Sequence, residues 1–153
     1  MTQSSDPSCD RSEIRELVER YANAADRADG DAAAALFTED GEFEVWLDPT
    51  RDQATSLMRG RAEIAEAVRR VSSYRATQHI IANSVVDVAV AGDRASGETR
   101  CTAHHVEAEA AGGHDRVLYI RYVEAFARVD GRWRFSRREL RVQWIAIQPV
   151  DSI

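Results

Sequence analysis

The stretch Arg116 to Ile147, RVLYIRYVEAFARVDGRWRFSRRELRVQWIAI, decides the fold. Two runs rich in β-branched and aromatic residues flank Asp130-Gly131, the strongest short hairpin signal in the chain. Working upstream, two further strand-like runs, Thr77 to Ala91 and Ala95 to Ala110, meet at Gly92-Asp93, and Gly112-Gly113 leads from the second of them into Arg116. The second half of the chain therefore reads as four long antiparallel strands.

The first half has helical spacing. Asp10 is placed to cap a helix from about Arg11 to Arg27, with Glu13 three residues on, and Ile14, Leu17, Val18, Tyr21 and Ala25 form its apolar stripe. Asp29 caps a short second helix, Ala32 to Phe37. Glu39-Asp40-Gly41 turns into a strand from Glu42 to Leu47, where Phe43, Val45 and Leu47 alternate with polar positions and Trp46. Asp48 to Met58 reads as a polar loop, and a third helix spans about Ala62 to Tyr74. Helices followed by a meander indicate an α+β domain with helices on one face of a curved sheet.

With 153 residues, a single domain over residues 11–147 is expected, flanked by a flexible tail at 1–10 and a short tail at 148–153. The net charge of −6 argues against a general nucleic-acid binder. No apolar run approaches a membrane span and no leader reads as a signal peptide, so a cytoplasmic protein is expected. All 20 basic residues are arginine, a composition that suits a GC-rich bacterial genome and excludes lysine chemistry. The two cysteines, Cys9 and Cys101, have no metal-type spacing. Glu98, Glu107, Glu109 and Glu124 lack histidine or aspartate partners at metal spacing, so neither a metal nor another cofactor is expected.

Two segments carry candidate chemistry: Arg20-Tyr21-Ala22-Asn23-Ala24-Ala25-Asp26 and Thr77-Gln78-His79-Ile80-Ile81-Ala82-Asn83. The first ends the long helix with an aspartate at the margin of its apolar face, where a negative charge at a helix C-terminus is unfavourable unless partnered. The second opens an apolar strand with a histidine. A carboxylate and an imidazole in one core are costly apart, and as a pair they make a general acid/base dyad.

This order of elements, with Asp29 and Ala35-Leu36-Phe37, Gly60-Arg61 with Ile64, Gln78-His79 with Asn83, Gly92-Asp93-Arg94-Ala95 and Gly131-Arg132-Trp133 through Arg138, resembles the SnoaL-like branch of the cone-shaped nuclear-transport-factor-2-like superfamily. The resemblance spans Ile14 to Trp144. It implies a cone-shaped α+β barrel in which three N-terminal helices pack on a curved, mainly antiparallel sheet. Relatives include scytalone dehydratase, bile-acid dehydratases, the hexachlorocyclohexane dehydrochlorinase and polyketide-modifying enzymes. It implies an aspartate–histidine dyad at Asp26 and His79, a pocket arginine at Arg138, a pocket hydroxyl at Tyr21 and a second pocket histidine at His104 or His105. The ketosteroid isomerase branch has its catalytic aspartate where this chain has Val45, which disfavours that chemistry.

Strand alternation places His105 with Ala95, Gly97, Thr99, Cys101 and Ala103 on a covered face, and so favours it over His104 unless a bulge intervenes. It places Arg134, Ser136 and Arg138 together on the other side from Phe135 and Arg137, again barring a bulge. Phe43, Trp46, Tyr74, Tyr122 and Asn83 are the candidate substrate-contacting residues. The resulting expectation is a cofactor-independent lyase or isomerase acting on a small, largely apolar, cyclic or polyketide-like substrate, with no nucleic-acid or membrane partner and with self-association through the sheet. Two other readings share the fold: a non-catalytic binder of a hydrophobic small molecule, and an assembly module like the small subunits of ring-hydroxylating dioxygenases.

Overall fold

A computed structural model describes residues 7–109 and 112–151. Three helices, α1 (Pro7–Asp26), α2 (Gly30–Ala34) and α3 (Gly60–Arg69), pack against one six-stranded sheet. Its strands are β1 (Phe37–Trp46), β2 (Ser56–Arg59), β3 (Ala76–Val88), β4 (Arg94–Glu109), β5 (Gly112–Val129) and β6 (Arg132–Val150), in the order β2-β1-β6-β5-β4-β3. All neighbours are antiparallel except β1 and β6, and a 3-10 turn, Arg70–Ser73, leads from α3 into β3.

Several boundaries differ from those the sequence suggests, among them the third helix, which ends at Arg69 and gives way to the 3-10 turn. Helix α1 begins at Pro7, so the N-terminal tail is shorter than residues 1–10 and Asp10 lies inside the helix rather than capping it. Asp10 is 1% exposed and accepts hydrogen bonds from the Arg128 guanidinium and from Trp133 Nε1 (3.2 Å). The Arg128 guanidinium also lies over the Trp133 ring. Asp10 sits four residues before Ile14, in line with the apolar stripe, and this spacing carries it into the core. The second helix ends at Ala34, which frees Phe37 to open β1. The segment from Asp48 is not loop throughout, since Ser56–Arg59 pairs with β1. At the far end β6 continues to Val150, taking the first residues of the expected C-terminal tail into the sheet.

The sheet has a covered inner face and an outer face. Ala95, Thr99, Cys101, Ala103, Ile120, Tyr122, Phe126, Phe135 and Val142 are buried on the inner side, where α1 brings Ile14, Leu17, Val18 and Tyr21 and α3 brings Ile64 and Val68. The outer face is laced with ion pairs, among them Arg137 with Glu44 and Glu139, and Arg141 with Glu139. Two irregularities in the β5–β6 ladder, at Tyr119/Ile120 and Ala125/Phe126, decide which β6 residues point inward. At the second of these Phe126 pairs with Phe135 and Ala125 with Arg137, so Ser136 is the extra residue. Strict alternation is broken there, and both Phe135 and Arg138 face the core, each 0% exposed. Among the described residues no helix is long and apolar enough to cross a membrane.

Candidate active site

The end of α1 sets the first half of the site. Ala28 takes a left-handed conformation (φ 52°), and the amides of Arg27, Ala28 and Asp29 fold back onto carbonyls of Ala24 and Ala25, closing the helix immediately after Asp26. Asp29 Oδ1 then accepts from the Ala32 amide (3.0 Å) and starts α2. The chain turns away, and Asp26 is left facing the beginning of β3.

There its carboxylate is held from three directions. Oδ1 lies 2.7 Å from His79 Nδ1 and accepts from Thr77 Oγ1 (3.1 Å), while Oδ2 accepts from the His79 backbone N–H (3.0 Å). Burial pushes the Asp26 carboxyl up, but the His79 ring and amide bonds, the His79 charge and the Thr77 bond outweigh it, so the group sits below its ordinary value. An ionised carboxylate has no proton to give, so the shared hydrogen belongs to Nδ1. The neutral ring then presents Nε2 as an acceptor.

The His79 ring, 7% exposed, forms part of the wall of a cavity of about 150 Å³. Most of that wall is apolar: Phe43 and Val45 from β1 and Leu47 just after it, Met58 from β2, Val68 from α3, Val71 from the following turn, Leu118 and Ile120 from β5 and Leu140 from β6. Its polar atoms come from Tyr21, His79, His105 and Tyr122. The β4–β5 ladder runs without a register shift, so His105 lies on the covered face and His104 on the outer one. The His105 and His79 rings meet edge to face at 5.6 Å, and Tyr74 packs on the other side of His105 at 4.8 Å. Burial, then the neighbouring His79 charge, lowers the His105 value, and its buried Nδ1 has no hydrogen-bond partner. Burial pushes the Tyr21 phenol up to about 12 against the pull of Arg138, which keeps its proton on oxygen at neutral pH.

Arg138 differs from its expected place. Its guanidinium is buried behind the cavity wall, stacked 3.7 Å from the Tyr122 ring centre and 4.3 Å from that of Tyr21, and it does not line the cavity itself. Nε lies 2.9 Å from Glu124 Oε1, with both side chains 0% exposed, though the angle falls short of a hydrogen bond. Glu124 Oε2 accepts from Thr99 Oγ1 (2.8 Å), which in turn meets Ser84 Oγ (2.9 Å). Removal of one partner from such a buried pair costs about 3–5 kcal/mol.

Three of the expected substrate-contacting residues lie elsewhere. Trp46 points to the outer face because Phe43 and Val45 take the inward positions of β1. Its ring lies under Arg141 and its Nε1 donates to Glu44 Oε2 (2.9 Å). Asn83 is exposed at the β3 irregularity between Ile81 and Ser84. Tyr74 buttresses His105 without lining the cavity. Sequence reading missed Leu118, Ile120 and Leu140, which period-2 alternation through Tyr122 would have flagged. It also missed Met58, hidden in a segment taken for loop, and Glu124, whose buried arginine partner only the folded sheet supplies. Among the described residues no group of three histidine, cysteine or acidic side chains could hold a metal ion.

Comparison with known proteins places this architecture. A crystal structure of a provisionally assigned scytalone dehydratase from Novosphingobium aromaticivorans is 26% identical, with 95% of this chain and 93% of that one covered and a TM-score of 0.76. A provisionally assigned aromatic ring hydroxylase from the same organism is 25% identical, covering 95% and 96%, with a TM-score of 0.77. The hexachlorocyclohexane dehydrochlorinase LinA, type 2, is 18% identical over 95% and 91% with a TM-score of 0.75, a likeness of fold. No curated protein matches the chain significantly. The family model for the SnoaL-like domain matches residues 6–139, nearly the whole of the α-helical layer and the sheet, and the chain belongs to that family.

Proposed function

We propose that this protein is a cofactor-independent lyase or isomerase of the dehydratase type, with Asp26 and His79 as its acid/base dyad. The observation that carries the reading is the position of one imidazole, which has a carboxylate on Nδ1 and an apolar cavity on its other side. Asp26 fixes the tautomer and orientation of the ring, and Nε2 removes a proton from a carbon beside an activating group. In a dehydration the electron pair of that C–H bond forms the new double bond and expels hydroxide on the neighbouring carbon. Tyr21, which keeps its proton at neutral pH, supplies the proton that makes it water, and solvent returns His79 and Tyr21 to their starting states. The Arg138 charge, transmitted through the faces of Tyr21 and Tyr122, favours the negative charge that develops on oxygen.

A cavity of about 150 Å³ admits a molecule of roughly single-ring size, which narrows the substrate class to small, mostly apolar cyclic compounds carrying a carbonyl or a leaving group. Two neighbours bear names of enzymes that eliminate water or hydrogen chloride, in keeping with such a reaction. The test is a screen of single-ring β-hydroxy carbonyl and halogenated compounds, followed by ultraviolet detection of the new double bond. Activity that is present in the wild type and absent in a folded His79→Ala variant is expected, and unchanged activity in that variant would sink the reading. Tight binding of such compounds without turnover over long incubation would favour the non-catalytic binder.

The outer face suits self-association. Tyr119 and Trp144 stack there at 4.4 Å, and Trp144 is 59% exposed on the single chain. Sedimentation at micromolar concentration is expected to give a dimer or larger, and a monomer would refute it.

A further inference from the structure

A second recess, of about 870 Å³, lies at the β5–β6 hairpin end of the sheet and shares no lining residue with the cavity. Four arginines line it: Arg61, Arg94, Arg132 and Arg134. Sheet register explains their convergence. Arg94 pairs with Ala127 and Ala127 with Arg134, so the two arginines stand in one cross-strand row, about 10 Å apart, over a residue that ends at Cβ. Arg132 lies two residues from Arg134 on the same face of β6, while the intervening Trp133 is buried in the core. Arg61, in the first turn of α3, is fixed by two bonds from Nε and Nη2 to the Phe37 carbonyl (3.0 and 2.7 Å), and its Nη1 has no bond to the described residues.

These arginines are uncompensated. Arg15, Arg20, Arg69, Arg137 and Arg141 each meet a carboxylate, whereas none of the four does among the described residues. Glu39, Asp40 and Asp130 border the recess but are exposed and form no ion pair with them. Partial burial, then the charges of Arg61 and Arg132, lowers the Arg134 guanidinium from its ordinary value, a sign of like charges crowded together. Thr38, 9% exposed, also lines the recess, and its buried Oγ1 has no hydrogen-bond partner. Four guanidiniums with no ion-pair partner among the described residues, beside a hydroxyl with none, leave donors converging on the recess that an anion can take up.

We propose that this recess is a binding site for the diphosphate group of a small molecule, held by Arg61, Arg94, Arg132 and Arg134 with Thr38 behind them. The guanidinium fork matches phosphoryl oxygens in pairs, and a row of arginines about 10 Å across suits two adjacent phosphoryl groups better than one carboxylate. The site is independent of the elimination chemistry, since it opens elsewhere on the molecule.

Calorimetric titration of the whole chain with pyrophosphate at low ionic strength tests this. Saturable one-to-one binding is expected, weakened about tenfold or more in an Arg94→Gln/Arg132→Gln double variant, whose exposed positions leave the fold intact by circular dichroism. An Arg27→Gln/Arg70→Gln variant, altered at exposed arginines elsewhere, should bind like the wild type. Absence of saturable binding, or equal loss in both double variants, overturns the proposal. Orthophosphate binding as tightly as pyrophosphate overturns the assignment to two phosphoryl groups. Adenosine diphosphate and a short prenyl diphosphate, as further arms, tell the carrier: the one that gains affinity over pyrophosphate identifies it, and no gain in either assigns the site to the diphosphate alone.

Discussion

Among the described residues two aspartate–histidine pairs have almost identical local geometry, one on each face of the sheet. Asp26 meets His79 Nδ1 at 2.7 Å on the inner face, and Asp115 meets His104 Nδ1 at 2.6 Å on the outer. Each carboxylate has a further donor, Thr77 for the first and Gln148 (3.0 Å) for the second, and each lies below its ordinary value because these bonds outweigh burial. The burial is inverted. In the inner pair the imidazole side chain is 7% exposed and the carboxylate 25%; in the outer pair the imidazole is 28% exposed and the carboxylate 7%. Bond length therefore does not distinguish a candidate catalytic pair from a structural one. What distinguishes them is where the second ring nitrogen looks: His79 borders an apolar cavity of about 150 Å³, and His104 lies on the outer face, away from that cavity.

The sharpest way to break this contrast is to remove each imidazole. His79→Ala should lower turnover on an identified substrate by about 10²–10⁴-fold, and His104→Ala should leave it unchanged, measured as initial rates on proteins matched by circular dichroism. Equal losses would mean that the two pairs act alike. Next is the carboxylate: Asp26→Asn should cost roughly 10²-fold in kcat while KM changes little, because the tautomer and orientation of His79 are lost rather than the cavity, and Asp115→Asn should cost nothing in turnover.

A third comparison sets the buried Arg138–Glu124 pair against the outer face. Glu124→Ala should destabilise the fold by about 3–5 kcal/mol in urea titration, by leaving a guanidinium unpaired in the core. Glu139→Ala, on the laced outer face, should cost far less, since Arg137 keeps Glu44 and Arg141 keeps water.

The smallest effect is in the pH dependence of stability. His105 has a lowered folded value, so the unfolded chain takes up a proton first as pH falls below its ordinary 6.5. Its contribution is complete above that value and shrinks as pH drops toward the folded one. His105→Gln should flatten this decline in a series of melts between pH 7 and 5. The Asp26 contribution lies lower: it is present above the ordinary 3.8 and is lost as pH falls through the depressed folded value, so Asp26→Asn should change the limb below pH 4. A decline between pH 7 and 5 that persists in His105→Gln would locate it elsewhere.

Much of this architecture was legible from residue spacing. The Asp130-Gly131 hairpin and the four strand-like runs specify a meander because period-2 apolar alternation leaves one face to bury, and the stripe Ile14, Leu17, Val18, Tyr21 supplies the helix that covers it. The clustering of Asp26, Tyr21, His79 and His105 near one cavity also follows from the chain, through helix length, alternation and the family resemblance. Strand alternation set Trp46 opposite Phe43 and Val45, yet the size of its ring made it a candidate for the cavity wall, and the fold turns it outward under Arg141.

Other features depend on pairing between distant strands, which local spacing does not encode. The extra residue Ser136 swings Arg138 inward beside Phe135, and the β3 irregularity carries Asn83 out to solvent. Arg128 and Trp133 meet Asp10 where α1 packs on the sheet, and the partners Glu124 for Arg138 and Asp115 for His104 are chosen by register across the sheet. So is the row Arg94–Ala127–Arg134 that gathers the unpaired arginines. The sequence by itself determined which elements form and which side chains they must bury, because propensity and periodicity act over a few residues. Only the tertiary structure decided which charges meet, because a single bulge reverses a strand's faces and a partner far along the chain determines whether a buried group is satisfied.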